Sequence, residues 1–168
     1  MNKIILIGCP GSGKSTLSFK MEEILKYPVL HLDKIYHIDN EKHITRDELK
    51  QQVFEFASKY DKWIIDGNYM STLDQRIGLC DTIIYLDFPT EVCVQNVIDR
   101  SKKERTKDMA EGFNNSKLNQ EFVDWVQKFN NEQRPIIYEK LQDVKNKKII
   151  ILKNYTDVDN FIRTIKNN

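Results

Sequence analysis

A chain of 168 residues, with 40% hydrophobic and 30% charged residues, is typical of one globular domain with a substantial core. The net charge of +1 argues against a surface that is basic overall, so the composition does not favour nucleic acid or membrane binding. We expect a cytoplasmic protein with free thiols, because the three cysteines match no metal motif and neither a signal peptide nor an apolar run of membrane-spanning length is found.

The first predicted element is a buried strand that leads into a glycine-rich loop. Residues 4 to 7 are all apolar, as in a strand buried on both faces, and the pattern G-x-x-x-x-G-K-S follows. The glycines let backbone N–H groups turn toward phosphate oxygens, and the helix predicted next directs its positive end to the same place. The pattern predicts a phosphate-binding loop, formed by Gly8, Pro10, Gly11, Ser12, Gly13, Lys14, Ser15 and Thr16.

The last residues of this loop have separate chemical roles. Lys14 can reach the β- and γ-phosphates of ATP, and the Ser15 hydroxyl can bind Mg²⁺. The alternative is an ordinary glycine-rich turn, but such a turn does not need Lys14 and Ser15 as well as the glycines. Apolar residues at helical spacing follow, at Leu17, Met21 and Ile24, which supports the expected strand, loop and helix.

Four further strands alternate with helices along the chain. Apolar runs predict them at residues 29–32, 63–65, 82–86 and 148–152. One helix is predicted to begin at Thr45, where Glu48 completes a capping-box pattern, and residues 34–44 before it are predicted to be a loop. Together these elements predict a single α/β domain, residues 1–168, with a parallel sheet, helices on both faces and ligands at the carboxyl ends of the strands.

Two aspartates follow predicted strands and should therefore lie beside the phosphate loop. Asp66 precedes a glycine after the third strand, where a carboxylate can hold Mg²⁺ directly or through water. Asp33 ends the second strand, where it can accept a proton from an acceptor hydroxyl or help to position Mg²⁺. For both residues the alternative is a turn or cap aspartate. A metal site of His31, Asp33 and His37 is a further alternative, although His31 is expected along the strand and His37 in the loop.

Residues 101–117 contain few apolar side chains and follow the helix predicted from Thr90. We interpret them as a lid that closes cations over the phosphoryl group during transfer. Arg100 and Arg105 suit that role because a guanidinium binds phosphate through two parallel hydrogen bonds. The neighbouring lysines, Lys102, Lys103 and Lys107, are interpreted as solvated surface charges.

The roles expected for the other arginines differ from one residue to the next. Arg134, at the junction of two helices beyond the lid, is predicted to add a phosphate contact. Arg76, in the helix after Asp66, is a candidate for binding an acceptor phosphate. Arg46 and Arg163 are expected at the surface.

Three apolar or thiol side chains are assigned to packing. Trp63 and Trp125 lie in apolar patterns and are expected in the core. Cys9 lies inside the loop pattern and is interpreted as a small packing residue rather than a nucleophile.

Several motifs in order resemble the adenylate-kinase-like P-loop kinases, and within them most closely the bacterial DNA topology modulation proteins. The matching stretches are GCPGSGKST, HLDKIYH, WIIDGNY, VIDRSKKER, DMAEGF and NEQRP. The resemblance implies a five-stranded parallel sheet in the order 2-3-1-4-5, ATP at residues 8–16 and a lid after the fourth strand. It also implies that Arg100 and Arg105 match the lid arginines of such kinases, with Arg134 a further match.

The chain departs from the adenylate kinase pattern on the acceptor side. It has DGNYM at residues 66–70, where those kinases carry DGFPR, and LDKIY at residues 32–36 in place of their acceptor signature. The resemblance therefore implies ATP as donor without implying AMP as acceptor.

These observations lead to one main hypothesis and one alternative. The main hypothesis is a phosphotransferase that uses Mg²⁺ and ATP and acts on a small-molecule or nucleotide acceptor, without nucleic acid or membrane partners. The alternative is an ATP-binding regulator with little or no kinase activity and a link to DNA topology.

Overall fold

A parallel sheet of five strands forms the centre of the molecule. The computed structural model describes residues 1–38, 42–102 and 119–167. Its strands are β1 (Lys3–Gly8), β2 (Val29–His31), β3 (Trp63–Asp66), β4 (Thr82–Leu86) and β5 (Lys148–Leu152). They lie in the order β2-β3-β1-β4-β5 and every neighbouring pair is parallel, which confirms the predicted α/β fold and the implied strand order.

Eight helices in the described ranges connect and cover the strands. They are α1 (Lys14–Leu25), α2 (Leu32–Tyr36), α3 (Arg46–Lys59), α4 (Leu73–Leu79), α5 (Thr90–Ser101), α6 (Gln120–Glu132), α7 (Arg134–Gln142) and α8 (Tyr155–Lys166). A short 3-10 helix, Met70–Thr72, precedes α4. The predicted capping box is present at the start of α3, where Thr45 and Glu48 exchange side-chain to backbone hydrogen bonds. None of these helices has both the length and the apolar character needed to cross a membrane.

The core lies around the three central strands. Side chains of β3 and β4 are buried throughout, and residues Ile4 to Ile7 of β1 are fully buried, as expected for parallel strands covered on both faces. Trp63 is also fully buried, which confirms its assignment to the core. In contrast, β5 is an edge strand, and Ile151 on it is 36% exposed. The three central strands are therefore more buried than the edge strand β5.

The segment after β2 differs from the predicted loop. The strand ends at His31, and the short helix α2 begins at once, followed by an antiparallel bridge between His37 and His43. Leu32 is fully buried, and Ile35 and Tyr36 pack against the core. Apolar residues at positions i, i+3 and i+4 are a helical signal, so the prediction of a loop for residues 34–44 was wrong where α2 extends to Tyr36.

Candidate active site

The phosphate loop joins the carboxyl end of β1 to the start of α1. Gly8 has φ +144°, and a Cβ there would lie 2.5 Å from the carbonyl oxygen of Leu86, so a side chain is excluded by both conformation and space. Gly13, which precedes α1, has φ +93°, and a Cβ there would meet nothing within 4 Å. Its glycine is therefore required by the left-handed backbone, and the space beside it remains open for a ligand.

Lys14 is folded back onto the loop. Its Nζ donates to the carbonyl oxygens of Gly8 and Cys9, each at 3.0 Å. Burial lowers the pKa of the Lys14 ammonium, and the nearby carboxylates of Asp66 and Asp33 act in the opposite direction. The two carbonyl contacts and the two carboxylates therefore offset part of the cost of burying this cation, at the place where phosphate is predicted to bind.

Asp66 is almost completely buried at the end of β3, with 3% of its surface exposed. Its Oδ2 lies 3.0 Å from His31 Nδ1 and 3.3 Å from the Ser18 hydroxyl oxygen. Its Oδ1 is buried and has no hydrogen-bond partner in the described residues. A buried carboxylate oxygen without a partner is costly, so this atom is suited to a cation or to a metal-bound water.

The residues near Asp66 fit a magnesium site that depends on bound phosphate. Ser15 lines the same cavity as Asp66 and adds a hydroxyl oxygen, and oxygen atoms are the ligands that Mg²⁺ prefers. No cluster of three or more His, Cys, Asp or Glu side chains able to hold a metal occurs in the part of the chain that the structure describes. The alternative metal site of His31, Asp33 and His37 is therefore not supported.

One cavity of about 960 Å³ brings most of the predicted site residues together. Its lining includes Pro10, Gly11, Gly13, Lys14, Ser15, Thr16, Asp33, Asp66 and Arg100. Ser12 and Gly8 are absent from this lining, and Ser12 instead faces a smaller cavity of about 290 Å³. Tyr155 of α8 and Asn96 of α5 line that second cavity, and the Asn96 amide donates to Gly11 O at 2.8 Å. The phosphate loop thus separates a larger cavity from a smaller one.

Asp33 lies in the first turn of α2 rather than at the end of a strand. Its Oδ1 accepts a hydrogen bond from the Tyr69 hydroxyl at 2.8 Å. Asp33 is half-buried and lines the large cavity. It therefore presents to that cavity a carboxylate of which one oxygen is held by Tyr69.

The sequence did not single out two residues after β3 that lie at the candidate site. Tyr69 holds Asp33, and Asn68 Oδ1 accepts from the N–H of Gly8 at 3.2 Å. Both residues also line the large cavity. The available signal was their position directly after Asp66 and Gly67, where the chain departs from the adenylate kinase pattern.

The large cavity has an aromatic wall, which we define as Phe19, Tyr36, Tyr69, Phe122 and Trp125. The rings of Tyr36 and Tyr69 lie 4.7 Å apart, and those of Phe122 and Trp125 stack at 5.9 Å. Trp125 is 39% exposed, so its assignment to the core was wrong. The same helical spacing occurs whether α6 faces the core or a cavity, and only its packing distinguishes the two.

Arg76 has a structural position, so its candidacy for binding an acceptor phosphate is not supported. It is fully buried and does not line the cavity. Its guanidinium donates to the Gly67 and Tyr69 carbonyls at 2.8 and 2.9 Å and to the Thr72 hydroxyl at 3.0 Å. Burial lowers the pKa of Arg76 to about 10, with Asp66 acting in the opposite direction. Arg76 therefore holds the segment that carries Asn68 and Tyr69.

The remaining predicted arginines lie in different surroundings. Arg100, near the end of α5, lines both cavities. Arg134 pairs with Asp87 at 2.7 Å and does not line either cavity, so its role as a phosphate contact stays a prediction. Arg105 lies outside the described residues, as does the predicted lid from residue 103 onward. Arg46 is exposed as expected, but it also lines the large cavity.

Cys9 behaves as a packing residue, as expected. It is 2% exposed, and its neighbour Cys93 is fully buried. A hydrogen bond with Cys93 and burial both raise the pKa of the Cys9 thiol, which disfavours the reactive thiolate.

Comparisons with known proteins find kinases that resemble the chain. Two shikimate kinases of Clostridium botulinum resemble the chain, one from strain Langeland at 26% identity over 136 residues and one from strain Loch Maree at 28% over 137. Each match covers 68% of this chain and 80% of the relative. No protein-family model matches the chain.

Solved kinase structures share the fold at low sequence identity. The structure of deoxyadenosine kinase from M. mycoides with bound dATP matches with a TM-score of 0.58 and 15% identity, covering 100% of both chains. A shikimate kinase from Acinetobacter baumannii in complex with shikimate matches with a TM-score of 0.65 and 17% identity, covering 98% of this chain and 90% of the other. The resemblance to DNA topology modulation proteins stays a prediction. The fold and these relatives together point to a P-loop kinase of the adenylate-kinase-like type.

Proposed function

We propose that the protein transfers the γ-phosphate of ATP to a hydroxyl group of a small acceptor. The observation that carries this proposal is the convergence of Lys14, Ser15, Asp66 and Asp33 on one cavity at the carboxyl ends of the central strands. The kinases found in both comparisons support the same reaction class. We also propose a cytoplasmic location, for which the buried free thiols of the chain are the support.

On the donor side, the chain supplies positive charge and fixed dipoles. The Lys14 ammonium would exchange its two carbonyl partners for phosphate oxygens, and the N–H groups at the start of α1 would bind the same phosphates. Mg²⁺, when bound with ATP, would neutralise charge on the β- and γ-phosphate oxygens, and Ser15 and Asp66 Oδ1 are the chain's oxygen atoms for holding it. Arg100, with Arg105 from the proposed lid, would stabilise the charge that develops during transfer.

On the acceptor side, Asp33 would orient the attacking hydroxyl. The Tyr69 hydroxyl holds Asp33 Oδ1, which leaves Oδ2 to accept the hydrogen bond of the substrate hydroxyl and then its proton. Because Asp33 and Lys14 line the same cavity, the hydroxyl and the γ-phosphate can meet between them. Most of the rate would come from this positioning and from charge stabilisation.

The aromatic wall favours an acceptor with a planar ring. Stacking of a ring on aromatic side chains contributes about 1–3 kcal/mol per base in nucleic-acid-binding proteins. A nucleoside carries both such a ring and a primary hydroxyl, whereas shikimate carries a carboxylate and no aromatic ring. We therefore propose a nucleoside-like acceptor.

Measurement of ATP turnover with a panel of acceptors tests the proposal. Nucleosides, nucleoside monophosphates, shikimate and simple sugars would each be added to the protein with Mg²⁺ and ATP, and phosphorylated products identified by mass spectrometry. We expect strong stimulation by at least one nucleoside-like compound. Stimulation by shikimate or a sugar alone would support kinase activity but contradict the proposal of a nucleoside-like acceptor.

The same assay also tests the regulator hypothesis, for which the motifs shared with DNA topology modulation proteins are the support. Background turnover with every acceptor, together with DNA binding that weakens as salt rises, would favour the regulator over the kinase.

A further inference from the structure

We propose that His31 is a positioning residue that orients the Asp66 carboxylate so that Oδ1 faces the magnesium ion of the ATP complex. This inference rests on the proposed function, because it assigns Asp66 a metal-binding role. It adds a residue that lies outside the loop pattern.

The sheet places His31 and Asp66 directly opposite each other. They are register partners at the carboxyl ends of β2 and β3. The distance from His31 Nδ1 to Asp66 Oδ2 is 3.0 Å, and both side chains are at least nine-tenths buried. A carboxylate only accepts hydrogen bonds, so the histidine tautomer that satisfies this contact carries its proton on Nδ1. His31 therefore donates to Asp66.

The imidazole of His31 is itself held in place. Its ring packs against Phe19 of α1, with the ring centres 4.7 Å apart. The backbone of β2 pairs with β3, which fixes the distance between the two residues. A donor with a fixed ring and a fixed backbone restricts the rotation of the carboxylate that accepts from it.

Ser18 makes a weaker contact with the same carboxylate oxygen, Asp66 Oδ2. Its hydroxyl lies 2.9 Å from the carbonyl oxygen of Ser15 and 3.3 Å from Asp66 Oδ2. One hydroxyl has a single hydrogen, and the shorter contact is the one to Ser15. The orientation of Asp66 therefore depends mainly on His31.

This arrangement determines the surroundings of the other carboxylate oxygen of Asp66, Oδ1. With Oδ2 bound to His31, Asp66 Oδ1 remains buried without a hydrogen-bond partner in the described residues, and Asp66 lines the large cavity. Partners that orient a metal-binding side chain typically change metal affinity or activity by about 10–100-fold when they are mutated. Loss of the His31 hydrogen bond should therefore appear in the metal dependence.

The test compares two substitutions at residue 31. In His31→Asn an amide N–H can occupy the approximate position of Nδ1, whereas His31→Leu has no donor. We expect His31→Leu to raise the Mg²⁺ concentration for half-maximal turnover about tenfold, and His31→Asn to restore most of that loss. The control is His43→Leu, because His43 is exposed and stacks on Tyr36 without contacting Asp66.

A second readout does not depend on turnover. Mn²⁺ would be titrated into the protein with a non-hydrolysable ATP analogue, and the bound ion followed by electron paramagnetic resonance. We expect weaker Mn²⁺ binding in His31→Leu, with unchanged affinity for the metal-free analogue. This experiment reports on His31 even if no acceptor is phosphorylated, so it separates failure of the inference from failure of the proposed function.

Three outcomes would overturn the inference. The first is wild-type metal affinity in a folded His31→Leu variant. The second is equal metal affinity in the Asn and Leu variants, which would indicate a purely structural role. If His31→Leu does not fold, His31→Gln replaces it, because the longer glutamine side chain displaces the donor. The third outcome is then equal Mn²⁺ affinity in the Asn and Gln variants.

Discussion

The phosphate loop and the aromatic wall face the same cavity but are built in different ways. The loop consists of consecutive residues 8–16, and the groups proposed to bind phosphate are largely backbone N–H groups and one lysine. The wall takes single side chains from α1, α2 and the segment after β3, and two from α6. A site made of local backbone holds a common group such as phosphate, whereas a site made of distant side chains can distinguish acceptors. Mutations in the two regions should therefore affect different kinetic constants.

Lys14→Ala should give the largest effect. We expect phosphoryl transfer to fall about 1,000-fold, because one cation that stabilises transition-state charge is removed. The free energy of unfolding should change by less than about 1 kcal/mol, because relief from burying the ammonium offsets the loss of two hydrogen bonds. Steady-state turnover and thermal melting would be measured beside the exposed control Lys50→Ala. Near-normal turnover in the folded variant would reject the phosphate-loop assignment.

Asp33→Asn should affect the acceptor side alone. The change preserves size but removes the negative charge and the proton-accepting group, so we expect acceptor phosphorylation to fall about 100-fold. ATP affinity, measured by calorimetry, should stay within about twofold of wild type. Asp61→Asn is the matched control, because Asp61 is exposed and outside the cavity. Equal losses in ATP affinity and in turnover would place Asp33 with the donor site instead.

Arg76→Met should reduce stability more than it reduces binding. The carbonyls of Gly67 and Tyr69 would lose their guanidinium partner, and we expect the free energy of unfolding to fall by about 2 kcal/mol. Urea denaturation beside the exposed control Arg163→Met would measure this difference. If stability were unchanged while the acceptor KM rose strongly, Arg76 would contact the substrate, as its sequence position had suggested.

Phe122→Leu should give the smallest effect. Loss of one ring from the aromatic wall should raise the acceptor KM about fivefold, in keeping with an aromatic contact of about 1 kcal/mol. The KM for ATP should not change. The same substitution at Phe54, which is 52% exposed and outside the cavity, is the control. Equal effects of the two substitutions would mean that the aromatic wall does not bind the acceptor.

Much of the fold was predictable because its signals are local. Uninterrupted apolar runs marked the strands, and the capping box at Thr45 marked the start of α3. The conformation of the phosphate loop was predictable for the same reason, because its glycines are required by positive φ angles at single positions. The short helix α2 was missed although Leu32, Ile35 and Tyr36 have helical spacing, because a run of five residues is a weak periodic signal.

The sequence alone determined the conformation of the phosphate loop and the alternation of strands and helices, because both depend on neighbouring residues. Only the tertiary structure decided which polar and aromatic side chains meet. Arg76 is buried under the segment after β3 while Arg46 reaches the cavity, and Trp63 is in the core while Trp125 lines the cavity. The pairing of His31 with Asp66 likewise arises from strands that are 35 residues apart in sequence and adjacent in the sheet. Such contacts depend on how elements that are far apart in sequence pack together, and a local sequence pattern does not predict that packing.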